Sequence, residues 1–248
     1  MLRGEKVVIM DAELNKKALG IARNYIGSVA WPTVVLTLLV CSLFIICLVL
    51  FAAGYISAWL ATPLISVLTY MSYTTLHEAV HGNIHGSNPN LRWVNDLCGY
   101  LVGPIISVPY NSHKHEHFAH HRYTNIAGKD PDFIISGMRT GLFAALLTTL
   151  KFFYVQNTFF YKQHWRSAKL KERFTYCLEV MFSIGWRVLT IALVEQPGIA
   201  VVVLLGYFTG GFFTAYWFAY RPHFPYDNSE RYQNTSSLIM PMWMKPIE

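Results

Sequence analysis

The chain has 248 residues, 53% of them apolar, with a formal net charge of +6. Its apolar residues gather into runs too long for the core of a soluble domain, which excludes an ordinary globular protein. The excess cations lie beside those runs, where anionic lipid headgroups are the natural partner, so the charge gives no support to a nucleic-acid function.

The N-terminal segment carries Glu5, Asp11 and Glu13 ahead of the first apolar run, which begins only near Trp31 and is too long for a cleavable signal; a retained N-terminus is expected. Trp31 to Ala53 holds no charged residue, and Ala58 to Leu76 follows after Gly54, Tyr55, Ile56 and Ser57. Each run reaches the roughly 20 residues that cross a bilayer, and together they predict a helical hairpin. A second hairpin is predicted from Phe174 to Val194 and Ile199 to Tyr220, joined by Glu195, Gln196, Pro197 and Gly198. Neither hairpin tip carries Lys or Arg, whereas the N-terminal segment, Lys162 to Arg173 and the tail do. That bias places the termini and the middle segment in the cytoplasm. The fold expected is an all-α, multi-pass integral membrane protein with four transmembrane helices in two hairpins, one domain over residues 1–248.

Between the hairpins, Asn90 to Tyr110 is apolar but interrupted by Asp96, Gly99, Gly103, Pro104 and Pro109, which predicts a short interfacial or re-entrant helix. Phe133 to Tyr161 is also apolar, but Arg139 and Lys151 would be costly at mid-membrane, so an interfacial amphipathic helix is expected there too, with a span as the alternative. Four cysteines (Cys41, Cys47, Cys98, Cys177) form no C-x-x-C pair and are expected to be core residues. No internal repeat and no low-complexity tract is present.

Histidine carries the chemistry. Of ten histidines, eight fall in two clusters beside the predicted membrane boundary. In LHEAVHGNIHG, His77, His81 and His85 are spaced by four and would share one face of a continuous helix, although Gly82 and Gly86 can end that helix before His85. In NSHKHEHFAHHRYTN, His117 shares a face with both His120 and His121. His120 and His121 themselves diverge by about 100°, so the adjacent pair can reach two ions. His113 lies one turn before His117, whereas His115 points away. Neutral imidazoles suit iron or zinc, and His77, His81, His117, His120 and His121 are the primary ligand candidates, with His85 and His113 as further ones. His164 and His223 are expected to be headgroup contacts or packed residues. HEAVH taken alone matches the H-E-x-x-H of zinc proteases, with Glu78 as water-activating base. That reading leaves HFAHH unexplained, and Glu78 is expected instead to support a ligand imidazole.

HEAVH at the end of the second run, HFAHH followed by RYTN, and the downstream Asp130, Pro131 and Asp132 resemble the membrane fatty acid desaturase superfamily, which includes carotenoid ketolases and hydroxylases. The resemblance implies a non-haem diiron centre at the cytoplasmic face. The implied reaction is O2-dependent desaturation or hydroxylation of a fatty acyl chain, with a carotenoid as the alternative substrate. It also implies a third H-x-x-H-H box, and beyond the last predicted span this sequence offers only His223. A C-terminally incomplete domain is therefore expected, with a non-catalytic relative as the alternative. No fused electron-transfer domain is legible, so a separate ferredoxin or cytochrome is expected. The basic segment Lys162 to Arg173 is either its dock or a headgroup anchor.

Overall fold

The computed structural model describes residues 2–24, 27–230, 233–236 and 242, with side chains from residue 13 onward. The described residues form helices and no strand: α1 (Leu2–Arg23), α2 (Trp31–Ala52), α3 (Ala58–His81), α4 (Arg92–Ile106), α5 (Tyr110–Tyr123), α6 (Leu142–Phe159), α7 (Leu170–Leu193) and α8 (Gly206–Thr214). At each end α8 continues as π-helical turns, Val201–Leu205 and Ala215–Tyr220, so that Val201–His223 forms one long rod. The apolar tail segment after residue 237 lies outside the described residues apart from Met242.

Three of these helices are long and apolar enough to cross a membrane: Trp31–Ala52, Leu170–Leu193 and Val201–His223. At 24 residues α3 is as long as α7, but it carries a row of hydroxyls. Two of those hydroxyls are spent locally, Ser66 Oγ donating to Thr62 O at 2.9 Å and Ser72 Oγ to Thr69 O at 2.7 Å. This lets a comparatively polar helix occupy the centre of the bundle, packed against α2, α4 and α8. The rod approaches α3 through Gly206 and Gly210, a small-xxx-small pair. A Cβ at Gly210 would stand 2.4 Å from Ser66 O, and one at Gly206 would stand 2.8 Å from Ile65 Cγ2.

The chain reverses after α4 through Ser107, which is in the left-handed region (φ 59°), and Pro109 starts α5. Arg187 of α7 closes the C-terminal end of α4: its guanidinium donates to Pro104 O at 2.9 Å and Ile105 O at 2.6 Å. The same group lies 4.5 Å from the ring centroids of both Trp186 and Tyr207. A buried cation is thus held by the negative end of a helix dipole and two aromatic faces, with its Nε left without a partner and no carboxylate in contact among the described residues. Asn95 and Tyr110 both donate to Ala79 O, at 2.7 and 3.1 Å, which locks the last turn of α3 to α4 and α5. The two histidine boxes are fixed relative to each other through this joint.

Two expectations require correction. Residues 133–161 do not form one helix: Gly141 (φ 127°) divides a 3-10 segment, Pro131–Thr140, from α6. Cys177 is exposed on α7 and is no core residue, whereas Cys47 and Cys98 are buried and Cys41 is half-buried.

Candidate metal centre

His77 and His81 lie one helical turn apart at the end of α3, and His117 and His121 one turn apart on α5. The two helices bring these four imidazoles together, with one ring nitrogen of each within 4.8 Å of the others. The Nε2 atoms of His81 and His117 are 2.9 Å apart, those of His117 and His121 3.0 Å, and those of His121 and His81 3.3 Å. Each hydrogen bond needs one N–H facing one lone pair, and a triangle of ring nitrogens cannot supply that on every edge. A cation at the centre, with every lone pair aimed at it, resolves the conflict. Nitrogen ligands would sit about 2.0–2.1 Å from such an ion, so any two would be at most about 4.2 Å apart, a limit all three spacings meet. Burial also favours the neutral, ligating form of three of these imidazoles, His81, His117 and His121. Burial and the neighbouring imidazoles push His117 well below its ordinary value and His121 down to about 4.

His120, next in sequence to His121, turns to the other side. Its Nδ1 donates to Asp130 Oδ1 at 2.9 Å, which leaves Nε2 as the lone-pair nitrogen. Burial alone would lower this imidazole, but the carboxylates of Asp132 and Asp130 outweigh it and raise it. Asp130 also accepts from the backbone N–H of Asp132 and of Asn125, each at 2.8 Å, so it is fixed independently of the histidine. A histidine oriented by a fixed carboxylate is the arrangement that sets the tautomer of a metal ligand. His223, at the end of the rod, stands against His120 with ring centroids 4.7 Å apart. Its Nδ1 is buried without a partner. The sequence alone assigns His223 to a headgroup contact or to packing, because it has no histidine three or four residues away to mark it.

His113 is fully buried beneath the cluster, its Nδ1 donating to Gln156 Oε1 at 2.5 Å and its Nε2 without a partner. Burial pushes it down to about 4 and raises the adjacent Glu116 carboxyl to about 7. His85 falls outside the cluster, because Gly82 (φ 75°) ends α3 and the chain leaves the shared face. His115 points away from the cluster and packs on His164, with centroids 4.4 Å apart. Glu78 accepts from Asn83 Nδ2 at 2.8 Å and approaches His77 Nδ1 at 3.4 Å, so it touches the back of a candidate ligand.

A cavity of about 390 Å³ opens between the two groups of histidines, with Tyr73 and Phe218 on one wall and Asn234 and Thr235 on another. The second wall is held by Asn125, whose Nδ2 donates to Asn228 O and Asn234 O at 2.8 Å each.

An all-helical bundle with long apolar helices and a four-imidazole cluster defines a histidine-rich membrane protein able to hold a metal. The chain belongs to the fatty acid desaturase family, whose sequence profile matches residues 53–246. Among curated proteins it is similar to the sn-1 acyl-lipid omega-3 desaturase (ferredoxin) of Nostoc sp. (strain 36), 31% identical over 32% of this chain and 22% of that protein. It is similar also to the Delta(12) fatty acid desaturase fat-2 of Caenorhabditis elegans, 41% identical over 18% of this chain and 12% of that one. Beta-carotene 4-ketolase 3 of Haematococcus lacustris is 37% identical over 25% of this chain and 18% of its own length. The chain thus spans less than a quarter of the length of each of these relatives. No solved structure matches.

Proposed function

We propose that the chain is a membrane-bound non-haem diiron oxidoreductase that desaturates or hydroxylates a fatty acyl chain with O2. The observation that carries the reading is the convergence of His77, His81, His117 and His121, from two boxes far apart in sequence, into one cluster. These four would hold the first iron. His120 and His223, across the cavity, would contribute to the second, with Asp130 orienting His120. His113, whose lone-pair nitrogen has no partner, is a further candidate. When bound, the irons would activate O2, the oxidant needed to remove hydrogen from an unactivated C–H bond. The protein's own part is to hold neutral imidazoles in register, to keep the site under a polar cover, and to offer Tyr73 and Phe218 as an apolar wall for the substrate. Among the described residues His120 and His223 are the imidazoles offered to that second position.

The accompanying topology takes α3 as a fourth span, its first part, Ala58 to Leu76, crossing the bilayer and its HEAVH turn emerging on the cytoplasmic side with both termini. The chain then forms one domain, residues 1–248. A carotenoid ring as substrate is the second reading, favoured by the similarity to the Haematococcus ketolase. The zinc-protease reading of HEAVH is disfavoured, since His117 and His121 join the cluster and Glu78 is engaged with Asn83 behind it.

The test is purification without chelator, metal analysis, and incubation with a reductant, O2 and an acyl lipid. Iron in excess of zinc, lost in His121→Ala, is the expected outcome, with oxidised lipid appearing once a family-like third box is appended. Stoichiometric zinc together with peptidase activity would refute the assignment.

A further inference from the structure

We propose that the basic turn joining α6 to α7 is the docking surface for an acidic one-electron carrier protein, and that a contiguous set of aromatic rings leads from that surface to the histidine helix α5. The inference rests on the oxidoreductase reading above. In desaturation O2 becomes two waters and the substrate gives up two hydrogens with their electrons; in hydroxylation one oxygen atom enters the substrate and the other becomes water; either way two further electrons and two protons come from outside. The carrier is the source of those electrons.

The surface is strongly one-signed. Lys162, Arg166, Lys169 and Lys171 are all exposed, and Arg173 lies beside them. The single acid in the stretch, Glu172, is occupied, its carboxylate accepting from Lys169 N at 2.7 Å. The turn is also ordered. Arg173 Nη2 donates to Arg166 O at 3.1 Å, and its guanidinium lies 5.4 Å from the Trp165 ring centroid. Such a display steers an acidic partner and orients it on arrival.

The rings supply the second, independent observation. Tyr161, 58% exposed, contacts Trp165 with centroids 5.5 Å apart. Trp165 meets Tyr176 at 6.3 Å, Tyr176 meets Phe160 at 5.1 Å, and Phe160 meets His115 at 5.3 Å. His115 precedes the cluster residue His117 by two positions on the same helix. Phe160 is fully buried, and its N–H donates to Ser112 Oγ of α5 at 3.3 Å, so the rings are tied to the histidine helix by backbone as well as by contact. A headgroup anchor would account for the cations but has no use for this path. Electron tunnelling falls steeply with distance, so a carrier must dock where the path to the metal is short and packed.

The experiment measures docking separately from catalysis. The full chain is placed in neutral phosphatidylcholine nanodiscs, and binding of a plant-type [2Fe–2S] ferredoxin is titrated at low and high salt. Neutralising Lys162, Arg166, Lys169 and Lys171 to Gln is expected to weaken binding about tenfold or more at low ionic strength. The difference should vanish near 1 M salt, where the screening length is about 3 Å. At saturating ferredoxin, so that any change in docking drops out, Trp165→Leu should slow the transfer of electrons from photoreduced ferredoxin to iron-loaded protein about tenfold. Wild-type ferredoxin affinity in the neutralised variant would overturn the proposal; if that variant also lost co-purified anionic lipid, the surface would be a membrane anchor. Transfer at the wild-type rate in Trp165→Leu would overturn the route through the rings. Intact docking and transfer with no oxidised lipid, even after a third box is appended, would indict the reading of the metal centre and leave the docking surface standing.

Discussion

Replacing Asp130 by Asn tests whether the second group of histidines is organised by that carboxylate. Asp130 is buried and accepts three hydrogen bonds: from His120 Nδ1 and Asp132 N on Oδ1, at 2.9 and 2.8 Å, and from Asn125 N on Oδ2, at 2.8 Å. An Asn amide offers one acceptor and one donor. In one orientation its NH2 faces the Asn125 N–H; in the other it faces His120 and Asp132. Either way at least one buried N–H is left unsatisfied, at a cost of about 1–3 kcal/mol. The negative charge behind the His120 imidazole is lost as well, and such supporting groups are worth about 10- to 100-fold in metal affinity. Asp130→Asn should therefore melt at a lower temperature in detergent and lose iron to a buffered chelator at roughly tenfold lower competitor concentration than wild type, while Asp130→Glu should retain part of both. Unchanged iron retention and melting temperature in Asp130→Asn would refute the role assigned to this carboxylate.

Glu78→Gln should keep iron bound and reduce turnover of the completed enzyme less than His77→Ala or His81→Ala, because Glu78 touches only the back of the cluster; product yield per iron is the measurement. Gly210→Leu forces a side chain into Ser66 O and should destabilise the bundle by about 1–3 kcal/mol or more, seen as a lower melting temperature. Gly185→Leu, where a Cβ meets nothing within 4 Å, serves as the control. In a background lacking the exposed Cys177, cysteines at Ser57 and Gln196 should react with an impermeant thiol reagent from one side of the membrane and a cysteine at the exposed Ser167 only from the other. Equal labelling of all three would sink the four-span topology.

The parts of the site legible in the sequence are those written in the helical period. His77 with His81 and His117 with His121 are spaced by four, and the splay of His120 from His121 follows from about 100° per residue on any helix. His223 was not legible because long-range packing delivers it: the rod must lie on α3 through Gly206 and Gly210, and its last turns are π-helical, which alters the register of every residue after Ala215. Hydropathy counts the α3 hydroxyls of Ser66 and Ser72 as polar although both bond within their own helix. The break at Gly141 escaped notice because an apolar stretch conceals a φ of 127°, a backbone state that composition does not encode.

Arg187 has a consequence for how the bundle is assembled. Its guanidinium is satisfied chiefly by Pro104 O and Ile105 O, groups on a different helix and early in the chain. An isolated α7 entering lipid would carry a charge bonded within its own helix only to Ser183 O, which is costly in hydrocarbon. The α4 terminus alone would expose carbonyls with nothing to receive them. With α7 as a span, its cation would be costly until the α4 terminus is in place to receive it, so the N-terminal half, with the joint that aligns both histidine boxes, would act as a template on which α7 is admitted. A lesion at Arg187 should then appear first as failed biogenesis and accelerated turnover in the cell, before any defect in the chemistry of the centre can be measured.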